Sequence, residues 1–305
     1  MKIIFLGTGA ASPNLKRNLS SVFMHWEGES FLFDCGEACQ IQLRYAGIKP
    51  GKFRQIFISH LHGDHILGLM GLLMTLELSG RELPLVITGP PGLREFIEVN
   101  RRLLHTRFSF PLEIYEIDKE TVFKQEQFTI WAMPLKHRIF TLGYAFLEKD
   151  KPGKFNLEKA RSLGIPEGPL YGKLQRGENI TLPSGEIIYS SQIVGPPVKG
   201  RKLVYCVDTR PCNEALTLAQ YADILIYDGT FLPKHLNKAQ KSGHSTVEEA
   251  ATLAREAKVR RLILTHISSR NQSLKEILQP AQAIFPNTTV AEDLMVIEVP
   301  LNKGL

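Results

Sequence analysis

The stretch Ser59-His60-Leu61-His62-Gly63-Asp64-His65 sets three imidazoles and a carboxylate within six positions, directly after the apolar run 55–59. Neutral imidazole nitrogens and carboxylate oxygens are donors that Zn²⁺ accepts at about 2.0–2.2 Å, and alternate residues of one loop can face one ion while the next pair faces another. Gly63 permits the sharp bend between the pairs. A strand ending in such a loop fits an α/β enzyme, which gathers its reactive groups at the carboxyl ends of strands. Four donors do not close two tetrahedral sites, so further donors are expected at other strand ends. Three apolar runs end suitably: 130–136 leads to His137, 203–207 to Asp208, and 262–265 to His266. Taken singly, each reads as a cap or a satisfied surface group; taken with the His60 loop, all three read as ligands.

Working outward, short β-like runs alternate with helical stretches. Residues 2–6 read as a strand, 22–26 and 31–33 as a hairpin across Glu27-Gly28-Glu29, 36–46 as a helix and 66–78 as a buried helix. Residues 85–88 read as a strand and 92–105 as a helix introduced by Gly89-Pro90-Pro91. After Lys202 the alternation resumes, with strands at 203–207, 224–227 and 262–265 and helices near 214–221, 246–257 and 274–285. Between Glu148 and Lys202 the texture changes. These 55 residues hold eight glycines and six prolines, a composition that a packed layer rarely shows. They carry ten Lys or Arg against six Asp or Glu, which places four of the chain's net +6 in this insertion.

At 305 residues, 43% hydrophobic and 22% charged, the chain can close a core without disulfides or structural metal, so a metal here would serve chemistry. Cys35, Cys39, Cys206 and Cys212 are too few for a disulfide framework and form no C-x-x-C pair; they read as small hydrophobes in a reducing cytoplasm. The apolar start before Gly7 is too short for a signal-peptide core. No run reaches the roughly 20 apolar residues of a membrane span, the longest candidate being interrupted by Gly68, Gly71, Thr75 and Glu77. The expectation is a soluble cytoplasmic protein.

His-x-His-x-Asp-His at 60–65, followed by His137, Asp208 and His266, resembles the metallo-β-lactamase superfamily. Further segments resemble its ribonuclease Z branch, the tRNA 3′-processing endonucleases, in their short form. They are Phe5-Leu6-Gly7-Thr8-Gly9, the loop from Pro13 to Asn18, Phe33-Asp34-Cys35-Gly36-Glu37, Gly243-His244-Ser245-Thr246 and Leu264-Thr265-His266-Ile267-Ser268. In the basic insertion, Gly168-Pro169-Leu170-Tyr171-Gly172-Lys173-Leu174-Gln175-Arg176-Gly177 resembles that family's flexible arm.

The resemblance implies an α/β fold, a metallo-β-lactamase-like αββα sandwich forming a single domain over 1–305, with the arm inserted at about 148–202. It implies two Zn²⁺ per subunit. The first would be held by His60, His62, His137 and Asp208, the second by Asp64, His65, His266 and the same bridging Asp208; Mn²⁺ would accept the same donors. The implied activity is removal of the 3′ trailer from precursor tRNA, leaving a 3′-hydroxyl on the tRNA and a 5′-phosphate on the trailer. Asp64 would be the general base, His244 would protonate or stabilise the departing 3′ oxygen, and Asp228 would hold the His244 tautomer. Asp228-Gly229-Thr230-Phe231 stands where the family shows Glu-Ala-Thr-Phe, a carboxylate shorter by one methylene.

The implied substrate contacts are Lys16, Arg17 and Asn18, in a loop whose lysine is shifted by one place from the family's Pro-x-Lys-x-Arg-Asn, together with Gly168, Pro169, Gly172, Lys173 and Arg176 of the arm. Arg270, just beyond His266, can meet a phosphate or stay solvated. The implied partners are precursor tRNA, recognised by shape and gripped through its phosphates by the arm, and a second subunit in a homodimer whose arm serves its neighbour's site; neither membrane nor DNA is expected. The same scaffold also suits a dizinc hydrolase of small phosphodiesters or aryl esters, which would need the metal site but not the arm.

Overall fold

Ile3, Ile4, Phe5 and Leu6 are all buried in the strand Lys2–Gly7, a continuous apolar run that suits a strand covered on both faces. The computed structural model, which describes residues 1–49, 51, 53–270 and 273–301, meets this demand with two seven-stranded sheets laid face to face. The first runs in the order Val296–Glu298, Lys2–Gly7, Ser21–Trp26, Glu29–Phe33, Phe53–Phe57, Leu85–Gly89, Leu112–Glu116. The expected hairpin forms in it, pairing Val22 with Phe33 through Trp26 with Glu29. From Glu29–Phe33 onward the pairing is parallel. The second sheet runs Thr288–Val290, Arg261–Thr265, Ile224–Asp228, Lys202–Cys206, Thr141–Glu148, Phe128–Leu135, Thr121–Lys124, with its first four strands parallel.

Aromatic side chains knit the two sheets together. Phe146 meets Trp26 and Phe31 edge-on at 5.2 and 5.5 Å, Tyr144 meets Phe57 at 5.1 Å, and Tyr205 meets Phe33 at 5.4 Å. Each such pair adds about 0.5–1.5 kcal/mol beyond the area it buries. The helix Gly68–Leu78 covers the outer face of the first sheet, burying Leu69, Leu72, Leu73 and Leu76 among Leu32, Ile56 and Ile87. The helix expected at 66–78 is in fact divided at Leu67 into Gly63–Ile66 and Gly68–Leu78. The cause is a close crossing: Gly68 N–H donates to Cys35 O at 3.0 Å, and a Cβ on Gly68 would stand 2.0 Å from the Gly36 carbonyl oxygen. The helix expected at 36–46 begins only at Cys39, because Ala38 takes a left-handed φ of 64°. On the second sheet, Val247–Glu256 starts with a reciprocal cap. Thr246 Oγ1 accepts from Glu249 N–H at 3.3 Å, while Glu249 Oε2 accepts from Thr246 N–H at 2.9 Å.

The described residues fall into two compact units: the sandwich, made of Met1–Gln125, Thr129–Phe146 and Lys202–Val299, and a smaller one built chiefly from Glu126–Phe128 and Leu147–Arg201. Glycine and proline content predicts no packed layer in the latter. Instead it folds three short helices, Leu157–Ser162, Pro169–Gln175 and Ser190–Ile193, and the hairpin Ile180–Thr181 with Ile187–Ile188. Ala160, Ile165, Leu174, Ile180, Leu182, Ile188 and Ile193 close an apolar core of its own. Two of its glycines serve close backbone approach. A Cβ on Gly153 would lie 2.0 Å from Gly195 O, and one on Gly200 1.9 Å from Glu148 O, where the entering and leaving chains run side by side. No described helix is long and apolar enough to cross a membrane.

Candidate metal centre

The loop after Phe53–Phe57 brings His60, His62, Asp64 and His65 to the carboxyl end of the first sheet. The ends of Phe128–Leu135, Lys202–Cys206 and Arg261–Thr265 bring His137, Asp208 and His266. The sequence thus places all seven expected ligands at strand ends, and the fold gathers them in one cluster. Three overlapping groups of donors emerge among the described residues: His60, His62, His137 and Asp208; Asp64, His65 and His266; and Asp208, Asp228, His244 and His266. In the first, His60 Nε2 lies 3.0 Å from His62 Nδ1 and 3.5 Å from Asp208 Oδ2, while His137 Nε2 lies 3.3 Å from His62 Nδ1 and 3.9 Å from Asp208 Oδ2. In the second, His266 Nε2 lies 3.2 Å from both Asp64 Oδ2 and Asp208 Oδ1, and His65 Nε2 lies 3.6 and 3.3 Å from the same two oxygens. Four ligands about 2.0–2.2 Å from a tetrahedral ion stand roughly 3.3–3.6 Å from one another, and the separations of 3.0 to 3.9 Å in this cluster are of that order.

Orphaned atoms agree with this. His65 Nε2 and Asp208 Oδ1 are buried and face each other, yet neither has a hydrogen-bond partner. Burial together with His65 holds the His60 ring well below the usual histidine range, and burial lowers His62 and His137 too, so each keeps a lone pair free at neutral pH. Burial pushes the Asp208 carboxyl up, but His266, His65 and His60 outweigh it and keep it ionised. Asp64 is likewise held below the carboxylate range: burial is overcome by the hydrogen bond from His266 and the charge of His65. Burial would lower His65, yet Asp208 and Asp34 push it up, which marks a place where positive charge is wanted. The donor set suits divalent cations, which this chain is built to bind.

The ring nitrogens turned away from the cluster are pinned. His60 Nδ1 meets Ser59 Oγ at 2.9 Å, His65 Nδ1 meets Asp34 Oδ2 at 2.6 Å, His137 Nδ1 meets Gly243 O at 2.8 Å, and His266 Nδ1 meets Thr230 Oγ1 at 2.9 Å. Such partners fix ring orientation and tautomer. Asp34 is fully buried and also accepts from Ser59 N–H, Ser59 Oγ and Tyr205 OH at 2.7, 2.8 and 2.7 Å. Neither Asp34 nor Thr230 stands out as functional in the sequence, although Asp34 obeys the same rule as Asp208, a carboxylate ending an apolar run. Asp34, Asp208 and His266 all take left-handed φ values, 57°, 52° and 56°. Such conformations cost energy in side-chain-bearing residues and cluster at functional sites.

Asp228 is fully buried beside this cluster, and its shorter carboxylate still reaches His244 Nδ1 at 2.8 Å. Burial would lower His244, but Asp228 raises it, pushed up to about 9, so both its nitrogens carry protons at neutral pH. His244 Nε2 points to within 3.9 Å of Asp208 Oδ2. The remaining expected site residues lie elsewhere. Lys16 is exposed, whereas Arg17 donates to Thr8 and Ala291 O and Asn18 donates to Asp293. Arg270 is exposed. In the smaller unit Gly168 precedes the helix that Pro169 opens, Gly172 and Lys173 lie on that helix with Lys173 exposed, and Arg176 Nε donates to Glu178 at 2.9 Å.

The sandwich and its His/Asp cluster define a divalent-metal hydrolase of the metallo-β-lactamase superfamily. Residues 181–267 match the family described as a β-lactamase superfamily domain, and residues 1–94 match the anti-Pycsar protein Apyc1 family. Ribonuclease Z of Cyanothece sp. is 42% identical over 98% of this chain and 96% of its own, and that of Methanothermobacter thermautotrophicus 44% identical over 98% and 97%. The solved structure of human tRNase Z, short form, matches with a TM-score of 0.73 at 32% identity, covering 98% of this chain and 100% of its own. The chain belongs to the ribonuclease Z family, and is thereby a metal-dependent endoribonuclease. The metallo-β-lactamase fold protein YhfI from Bacillus subtilis shares the fold, with a TM-score of 0.69 at 17% identity over 97% of this chain and 98% of its own.

Proposed function

We propose that this chain removes the 3′ trailer from precursor tRNA as a two-zinc endoribonuclease, leaving a 3′-hydroxyl on the tRNA and a 5′-phosphate on the trailer. The observation that carries this reading is the Asp208 carboxylate, which offers Oδ2 to one donor set and Oδ1 to the other. Two divalent ions held by His60, His62, His137 and Asp208, and by Asp64, His65, His266 and Asp208, would supply an acidified water and neutralise charge on the phosphodiester. Asp64 orients the attacking water and accepts its proton. The water oxygen bonds to phosphorus as the bond to the 3′ oxygen breaks. His244, steadied by Asp228 at 2.8 Å, gives its Nε2 proton to the departing 3′ oxygen.

Precursor tRNA is favoured over a small diester by the insertion at 148–202, which carries four of the chain's net +6 and exposes Lys173. Its cations grip the phosphates of the folded tRNA, while the exposed Lys16 and Arg270 serve the acceptor end. A homodimer belongs to the same proposal, and free thiols at Cys35, Cys39, Cys206 and Cys212 suit the cytoplasm.

The test is a 3′-extended precursor tRNA offered to zinc-replete protein. A single trimmed product with phosphate on the released trailer is expected, lost on chelation and in Asp64→Ala, with two zinc ions per subunit by elemental analysis. Tight tRNA binding without cleavage at full metal content would overturn the reading.

A further inference from the structure

Arg17 and Asn18, expected to read the acceptor end, are tied to the protein through Arg17 Nη1 and through the Asn18 backbone N–H and Nδ2. Arg17 Nη1 donates to Thr8 Oγ1 at 2.7 Å and to Ala291 O at 2.6 Å. Asn18 gives its backbone N–H and its Nδ2 to Asp293 Oδ2, at 2.6 and 2.9 Å. Thr8 Oγ1 donates to Asp293 Oδ1 at 2.7 Å, so one carboxylate clasps both feet of the loop between Thr8 and Asn18. The near shoulder of the loop is fastened to the metal centre. Ala11 N–H donates to Asp64 Oδ2 at 2.8 Å, and Gly9 and Ala10 pair with Ile267 and Ser268, next to His266.

The tip keeps its own shape through Asn14, which exchanges backbone hydrogen bonds with Arg17 at 3.1 and 3.3 Å and accepts from Lys16 N–H at Oδ1, at 2.9 Å. The clasp therefore governs where the tip sits, not its form. What the tip turns outward is Leu15, fully exposed, and Lys16, beside a cavity of about 720 Å³ that Arg17, Ser268, Glu292 and Asp293 also line. A solvent-facing leucine of this kind can stack on a base, and its neighbouring lysine can meet a phosphate.

We infer that Asp293 is a positioning residue that sets which phosphate is cut: it holds the loop at a fixed place beside Asp64, so that Leu15 and Lys16 at its tip meet the acceptor end. The inference rests on the tRNA-processing reading above and sharpens it. Hydrogen bonds to an ionised carboxylate are the strong kind, so neutralising the hub frees the loop while leaving every metal ligand in place.

The experiment maps product ends from a 3′-extended tRNA cut by Asp293→Asn. Ends displaced by one or two nucleotides are expected to rise about tenfold and KM severalfold, the scale of losing charge-assisted hydrogen bonds. Metal content and turnover of bis-(p-nitrophenyl) phosphate should stay within about twofold of the parent. Thr8→Val, which removes only the hydroxyl between Arg17 and Asp293, should broaden the ends more weakly and serves if the first variant folds poorly. Lys16→Ala should raise KM without spreading the ends. A single unshifted end at parental KM in both clasp variants, or loss of small-diester turnover and metal in step with tRNA cleavage, overturns the inference. If the parent itself fails to trim the tRNA, the functional reading falls instead. The clasp is then judged by amide exchange over residues 11–18, which must quicken in Asp293→Asn.

Discussion

Buried charge is handled in opposite ways at the strand ends and in the insertion. In the insertion Glu148 and Arg201 close on each other. Arg201 Nε donates to Glu148 Oε2 at 2.6 Å, Nη2 donates to Oε1 at 3.0 Å, and Arg201 N–H adds a third bond at 3.1 Å. At the strand ends, histidine nitrogens and carboxylate oxygens are turned inward toward one another, and His65 Nε2 and Asp208 Oδ1 are left without hydrogen bonds. Charges balanced within the protein, with Lys151 Nζ also 3.3 Å from Glu148, ask nothing of the solution, whereas a knot of inward nitrogens and oxygens is suited to cations. Order at the strand ends should accordingly depend on metal, and order in the insertion should not.

The heaviest blow to that contrast is Asp208→Ala, which removes the carboxylate common to both donor sets. Metal content should fall and tRNA cleavage should drop beyond the roughly 100-fold that an outer-shell partner is worth, while amide exchange of the insertion core stays unchanged. Retained metal at parental stoichiometry would show that Asp208 does not bridge. Next is Asp34→Asn, which keeps shape but loses the charge beneath His65; of the two proposed ions, the one at His65 should bind about 10–100-fold more weakly in a chelator competition, the other being held as before. Equal weakening of both would mean that Asp34 supports the fold rather than one ligand. Smallest for catalysis is Leu174→Ala in the insertion, where the lost buried side chain should destabilise that unit by about 2–5 kcal/mol. Limited proteolysis should then cut within 148–201, and KM for tRNA should rise while bis-(p-nitrophenyl) phosphate turnover holds; a matching loss of both activities would break the division of labour.

The metal loop is legible because its chemistry is local: alternate donors after an apolar run need no knowledge of the rest of the chain. His137, Asp208 and His266 are legible by the same rule applied to other strand ends. Asp34 follows that rule too, after Phe31, Leu32 and Phe33, but its partners His65 and Tyr205 lie 31 and 171 positions away, and only the folded sandwich reveals them. Thr230 falls in a segment that resembles the family's, but its role is not legible there, since a hydroxyl acquires its role from what stands opposite. In the insertion the core residues Ala160, Ile165, Leu174 and Ile180 follow no helical or strand period, so they read as loop. Two of its glycines are there because two backbones touch, Gly153 against Gly195 and Gly200 against Glu148, a reason invisible until the chain folds back on itself.

Gly243 ties two duties together. Its carbonyl aims His137 at 2.8 Å, its φ of 76° is one that side chains resist, and a Cβ there would stand 2.9 Å from His137 Nδ1. The very next residue is His244. One peptide unit therefore sets both the aim of a proposed ligand and the seat of the proposed proton donor, so neither can drift alone. Descendants of this chain can inherit Gly243 and His244 as a block, or re-aim both groups at once; gradual tuning of either is closed to them.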